Sequence, residues 1–134
     1  MALGWLLGKR VVRRRRRRIG LDAKHYALHK ERARELVHAR LIHWNQFYNH
    51  PYKRVAIRNQ RSRWGSCSTK QNLNFNYRIV FLPETLVDYI IVHELCHLAE
   101  FNHSEAFWGH VEKTLPDYAL RKAQLYQIPL SNFS

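Results

Sequence analysis

The feature that most constrains this chain is the stretch Pro83–Trp108, PETLVDYIIVHELCHLAEFNHSEAFW, which holds His93-Glu94-Leu95-Cys96-His97 and, six residues on, His103. Proline is tolerated where a helix opens. Nothing in Glu84–Glu100 interrupts a helix, and Leu86, Tyr89, Ile90, Val92 and Leu95 make it apolar. On such a helix His93 and His97 stand one turn apart on one face, where two imidazoles can share one tetrahedral zinc ion. Glu94 falls on the flank of that face, placed to accept a proton from the metal's water without taking a coordination position.

Nine histidines in 134 residues make such a pattern less rare by chance than usual. As ordinary helix residues, the two histidines would be packing groups and Glu94 a solvated charge. Against that, a helix so rich in Ile, Val and Leu is expected to be buried. Burying two imidazoles and a carboxylate is costly unless they are paired or bind a metal.

A catalytic zinc keeps three protein ligands and one open position. The third ligand could be His103, His110, Glu105 or Glu112. An uninterrupted helix would not present His103 beside the other two, so the chain is expected to turn between Ala99 and His103. Ligand type and nearness favour His103, with His110 the main competitor. In the chemistry that follows, zinc activates water and polarises a carbonyl, and Glu94 carries the proton to the leaving amine. A developing oxyanion needs a further donor, for which Arg61, Arg63 and His110 are candidates. Trp64 and Trp108 read as core aromatics.

A chain of 134 residues has room for one domain with a single modest core. No apolar run approaches the roughly 20 residues that span a bilayer. Two cysteines, Cys67 and Cys96, make no disulfide framework, and reduced thiols in a cytoplasmic protein are expected. The net charge of +13 is uneven: residues 9–18 carry eight basic side chains and no acid, leaving +5 for the rest. Residues 1–20 are expected to be a disordered, self-repelling arm. Their order of apolar then basic residues is the reverse of a secretory signal. Arg13, Arg14, Arg15, Arg16, Arg17 and Arg18 are candidates to neutralise phosphates on nucleic acid or acidic lipid headgroups.

The single domain is expected over residues 21–134. A helix from about Leu21 to Asn49 carries Ala33, Val37, Leu41, Trp44 and Tyr48 at steps of three and four, widened by Leu36 and Phe47. It should end before His50-Pro51. Two alternating runs follow, Tyr52–Asn59 and Leu73–Ile79, and are expected to pair as an antiparallel ribbon. Asn72, Asn74, Asn76 and Arg78 share the polar face of the second run. They are expected to bond neighbouring loops or an extended substrate. Ser104 can cap a short helix through Thr114, and Pro116-Asp117 restarts a last one. The pattern is α+β: an N-terminal helix, a small antiparallel sheet, the metal-binding helix and two C-terminal helices.

The runs RSRWGSCS, LNFNYRIVFLP, DYIIVHELCHL and NHSEAFW, in that order over roughly residues 24–128, closely resemble the YgjP-like metallopeptidase domain, related to SprT-like and Wss-like zinc proteases. The resemblance implies a zincin-like fold with a cleft, one zinc ion held by His93, His97 and His103, and Glu94 as the catalytic base. It places Arg63–Cys67 beside the cleft, in an architectural or substrate-facing role. Fuller members carry a β-rich segment before the first helix, where this chain has its arginine arm.

Three functions compete. The leading one is a zinc-dependent peptidase acting on peptide or protein, with DNA-bound proteins, on which the related SprT-like and Wss-like enzymes act, as candidate substrates. The second is a metal-dependent nucleoside triphosphate hydrolase, an activity to which the family has also been linked, with Arg61, Arg63 and the arm serving phosphates. The third is a non-enzymatic basic nucleic-acid-binding protein with a structural metal. Glu94 speaks against the third, because a structural site has no use for a base and closes its fourth position.

Overall fold

A computed structural model of the chain describes residues 3–7 and 16–133. Strand β1 (Leu3–Leu7) is followed by the long helix α1 (Arg16–Asn45), then strands β2 (Arg54–Arg58), β3 (Arg63–Cys67) and β4 (Asn72–Asn76). A 3-10 segment (Tyr77–Phe81) leads into helices α2 (Glu84–His97), α3 (Glu105–Thr114) and α4 (Tyr118–Tyr126), and a 3-10 turn at Leu130–Phe133 follows. The α+β architecture is the expected one. Of residues 1–20, expected as a disordered arm, Leu3–Leu7 form β1 and Arg16–Gly20 open α1. Residues 8–15, with Arg13, Arg14 and Arg15, lie outside the described residues.

The stripe on α1 is real: Ala33, Val37 and Leu41 are fully buried, and Leu36, Trp44 and Tyr48 pack against the core beside them. Phe47, at 47% exposure, stays largely outside. The helix ends at Asn45, a few residues before the expected Asn49, and after a turn Asn49 adopts φ 53°, a left-handed conformation that asparagine tolerates. Asn45 locks the exit, its side chain donating to His50 O and accepting from His50 N, both at 3.0 Å.

The sheet has the order β1-β3-β4-β2 and is mixed, which corrects the expected antiparallel ribbon. The antiparallel partner of β4 is β3, with Gly65 opposite Phe75 and Cys67 opposite Leu73, joined through the Ser68–Gln71 turn. The run at 54–58 instead lies parallel to β4, Val55 beside Leu73 and Ile57 beside Phe75. Parallel neighbours need a long crossover, and β3 with its turn supplies it. Sequence alternation shows that both runs are strands but not which is whose neighbour.

The second run also stops being a strand early. Asn76 Oδ1 accepts from Arg78 N at 3.0 Å, a cap that turns Tyr77–Phe81 into a 3-10 segment. At Asn76 and Arg78 the polar face serves loops, as one of the two expectations had it, whereas Asn74 donates to Ser66 Oγ and accepts from Arg58 Nε on the flanking strands. Asn76 Nδ2 donates to Gln60 O and Arg63 O, and buried Arg78 donates to Asn59 Oδ1 and Gln60 O. These bonds fix the 59–63 loop and with it the start of β3.

Candidate metal centre

Helix α2 is buried without a break from Leu86 to His97, so it carries its polar side chains into the interior. Asp88 is held there by Arg40 of α1 through a paired contact, Nε to Oδ1 at 2.7 Å and Nη2 to Oδ2 at 3.0 Å. This clamp and the apolar stripe of α1 fix α2 from behind. Past His97 the chain tightens, Ala99 N and Glu100 N both donating to Cys96 O. It reverses before Ser104, whose hydroxyl accepts from Phe107 N and caps α3. The turn expected between Ala99 and His103 is therefore present.

That reversal brings three imidazoles together. His97 Nε2 lies 3.0 Å from His93 Nε2 and 3.0 Å from His103 Nε2, and the third side of the triangle is 3.3 Å. Metal–nitrogen bonds of about 2.0–2.1 Å at tetrahedral angles separate two nitrogens by about 3.3 Å, so one ion fits with slight opening. The tautomer is set for at least one ligand. His97 Nδ1 lies 2.8 Å from Glu100 O and donates to it, which leaves Nε2 bare for a metal. Among the described residues His93, His97 and His103 are the group that could hold a metal ion. Glu105 and Glu112 are exposed and stand outside it.

Burial sets the charge states. It pushes His97 down to about 4, His93 well below the ordinary imidazole value and His103 downward as well, so all three are neutral donors near pH 7. Glu94, fully buried, is driven well above the usual carboxylate range by the same desolvation. Neither of its carboxylate oxygens meets a protein donor. A buried polar group so orphaned needs a water or an ion against it. The donor set and this carboxylate fit a divalent metal with solvent at its open position.

The walls are aromatic. Phe107 stacks on His97 with ring centroids 4.1 Å apart. Trp108 stacks on His103 at 5.7 Å, and Tyr118 stacks on the outer face of Trp108 at 5.0 Å. On the other side Gly65 of β3 closes over Glu94, which places the Arg63–Cys67 stretch beside the centre. Trp64 is wholly in the core, whereas Trp108 is only partly buried and belongs to the site wall. A cavity of about 790 Å³ opens at the centre, bounded by Tyr89, His93, His103, Trp108, Tyr118 and Lys122 among others.

The other candidates lie elsewhere. Arg61 is ion-paired with Asp22 of α1. Arg63 begins β3, its carbonyl held by Asn76. His110 faces His50 edge-on at 6.4 Å, and its carbonyl accepts from Tyr48. None of the three lines the cavity. Tyr118 and Lys122, one turn apart on α4, were not anticipated. Their only trace in sequence is that shared helix face, and nothing local ties it to the histidines.

Three convergent imidazoles, two of them on one helix with a buried carboxylate and the third beyond the following turn, in a small α+β fold, define a metal-dependent hydrolytic centre. The YgjP-like, metallopeptidase domain family matches residues 8–128, and the chain belongs to that family. A solved structure, the metallopeptidase zymogen of Pyrococcus abyssi abylysin, is similar at 28% identity and a TM-score of 0.57, over 66% of this chain and 87% of that one. Comparison with curated proteins finds no match. The protein is a metal-dependent peptidase, and its substrate class is peptide or protein. No helix among the described residues is long and apolar enough to cross a membrane.

Proposed function

We propose that the chain is a zinc-dependent peptidase of the cytoplasm, with His93, His97 and His103 as ligands and Glu94 as general base. The observation that carries this reading is the triangle of Nε2 atoms, 3.0–3.3 Å on a side, next to a buried carboxylate without a protein partner. Three neutral imidazoles and one open position suit zinc. When bound, zinc supplies Lewis acidity, lowering the pKa of water and polarising the scissile carbonyl. Glu94 takes the proton of the attacking water and delivers it to the departing amine. Phe107 and Trp108 hold the imidazole planes, and the aromatic wall excludes bulk water from the reacting carbonyl.

The basic residues 9–18 support action close to nucleic acid, through phosphate neutralisation. A nucleoside triphosphate as substrate draws less support, because Arg61 is engaged by Asp22 and Arg63 does not line the cavity.

The test is Glu94→Gln. Against a peptide library, with metal content measured in parallel, the variant should retain zinc and lose turnover about a hundredfold or more. Chelation should abolish wild-type activity and added zinc restore it. Full turnover by Glu94→Gln would end the general-base assignment.

A further inference from the structure

The cavity beside the histidines has an unusual charge balance. Tyr89, Trp108 and Tyr118 make its walls aromatic, and the small residues Ala119 and Ala123 of α4 leave its space open. Among the described residues, and apart from the imidazoles, the only charged side chain on its lining is the ammonium of Lys122, and no described acid lines it. Lys122 Nζ stands 4.7 Å from the centroid of the Trp108 ring, the same ring that stacks on His103. No carboxylate within ion-pair distance of Lys122 occurs among the described residues. Its charge also reaches the ligands, contributing to the downward displacement of His93 and His103.

We propose that this cavity is the subsite for a substrate residue bearing a carboxylate, and that Lys122 is the specificity residue that receives it. The inference rests on the peptidase reading and names what that site selects. A carbonyl under attack must sit at the histidine cluster, so the neighbouring substrate residue falls into the adjoining cavity. There an apolar stem packs on Tyr89, Trp108 and Tyr118, and the anion at its end meets the ammonium. The lysine is exposed, so a flexible approach costs little, while the aromatic surroundings lower local screening. The same ammonium repels lysine or arginine at that position. The carboxylate has two possible sources: a glutamate side chain within a peptide, or the α-carboxylate of a peptide's last residue.

Zinc-loaded full-length protein and four hydroxamate-capped probes separate these. One pair carries Glu or Gln with an amidated end; the other carries Leu with a free or an amidated end. Binding is followed by the fluorescence of the tryptophans. A carboxylate probe should bind about tenfold more tightly than its neutral twin, the scale of one charge-assisted contact. Preference in the first pair identifies a side-chain acid, and in the second a chain terminus. Lys122→Met, which keeps the stem over Trp108, should erase the ratio with zinc content unchanged. Lys122→Glu should reverse it in favour of a Lys-bearing probe. Equal binding within both pairs, a ratio that survives in Lys122→Met, or no binding by any probe overturns the proposal. Charge preference in binding without any peptide turnover would instead overturn the peptidase reading and keep the subsite.

Discussion

Gly65 and Glu94 meet across the centre so closely that a Cβ on Gly65 would stand 3.2 Å from Glu94 Cγ and 3.2 Å from its Oε2. The same atom would lie 3.2 Å from Asn74 O on the neighbouring strand, so β3 cannot shift to relieve the crowding without straining the sheet. Gly65→Ala should therefore displace the carboxylate by a few tenths of an ångström. We expect kcat to fall about tenfold to a hundredfold, since small misplacements of reacting groups are expensive. Metal content and melting temperature should change little. Unchanged kcat in a folded Gly65→Ala protein would show that the carboxylate has slack.

The Arg40–Asp88 clamp makes a separate prediction. Asp88 is 6% exposed, and Arg40→Ala leaves it without its guanidinium. Stripping a partner from a largely buried ion pair should cost about 2–3 kcal/mol, read by chemical denaturation. Replacing both residues by leucine should lose less than either single change, because no orphaned charge remains.

Acid should weaken the metal-free protein. Burial lowers the values of His25, His50, His93, His97 and His103 below the ordinary 6.5. Below pH 6.5 the unfolded chain thus binds protons that the folded chain refuses, and stability falls as pH drops towards the value of about 4 for His97. Thermal melts of chelator-treated Glu94→Gln protein between pH 7.5 and 4.5, a substitution that removes the buried carboxylate whose raised value acts in the opposite sense, should show a midpoint that declines from about pH 6.5 downward. A midpoint that rises over this range would contradict the burial of these rings.

Cys67 and Cys96 are free and buried, and desolvation pushes both thiols up to about 12. Neither should react with a thiol reagent in the native protein at pH 8. Both should react once denaturant is added, so counting labels by mass before and after unfolding checks the packing around the metal helix.

The arginine run should act independently of the centre. Replacing Arg13–Arg18 by glutamine should weaken nucleic-acid binding and flatten its dependence on salt. Turnover of a short peptide should be unaffected. Titrations at several salt concentrations measure the first effect, and a fluorogenic peptide the second.

The centre was legible because its main determinant is local. Helical geometry alone places His93 and His97 together and Glu94 beside them, and His103 follows from ligand chemistry and a short turn. Lys122 and Tyr118 were not legible, since α4 reaches the cavity through packing on α2, a relationship that no nearby residue encodes. Strand pairing failed for a similar reason. Alternation at Val55 and Ile57 reads the same whether the neighbour runs parallel or antiparallel, and the decision lies in a crossover through β3. Asn76 shows a third case. One side chain bonding its own backbone two residues on converts a promising strand into a 3-10 turn.

The sheet's order leaves β3 between β4 and β1, with Leu6 placed opposite Gly65. The chain's own first strand thus fills the side of β3 that β4 leaves open. Because β4 and β1 flank β3 on both sides, an extended chain could pair with β3 itself only by displacing Leu3–Leu7, whereas β1 and β2 are the strands at the sheet's edges.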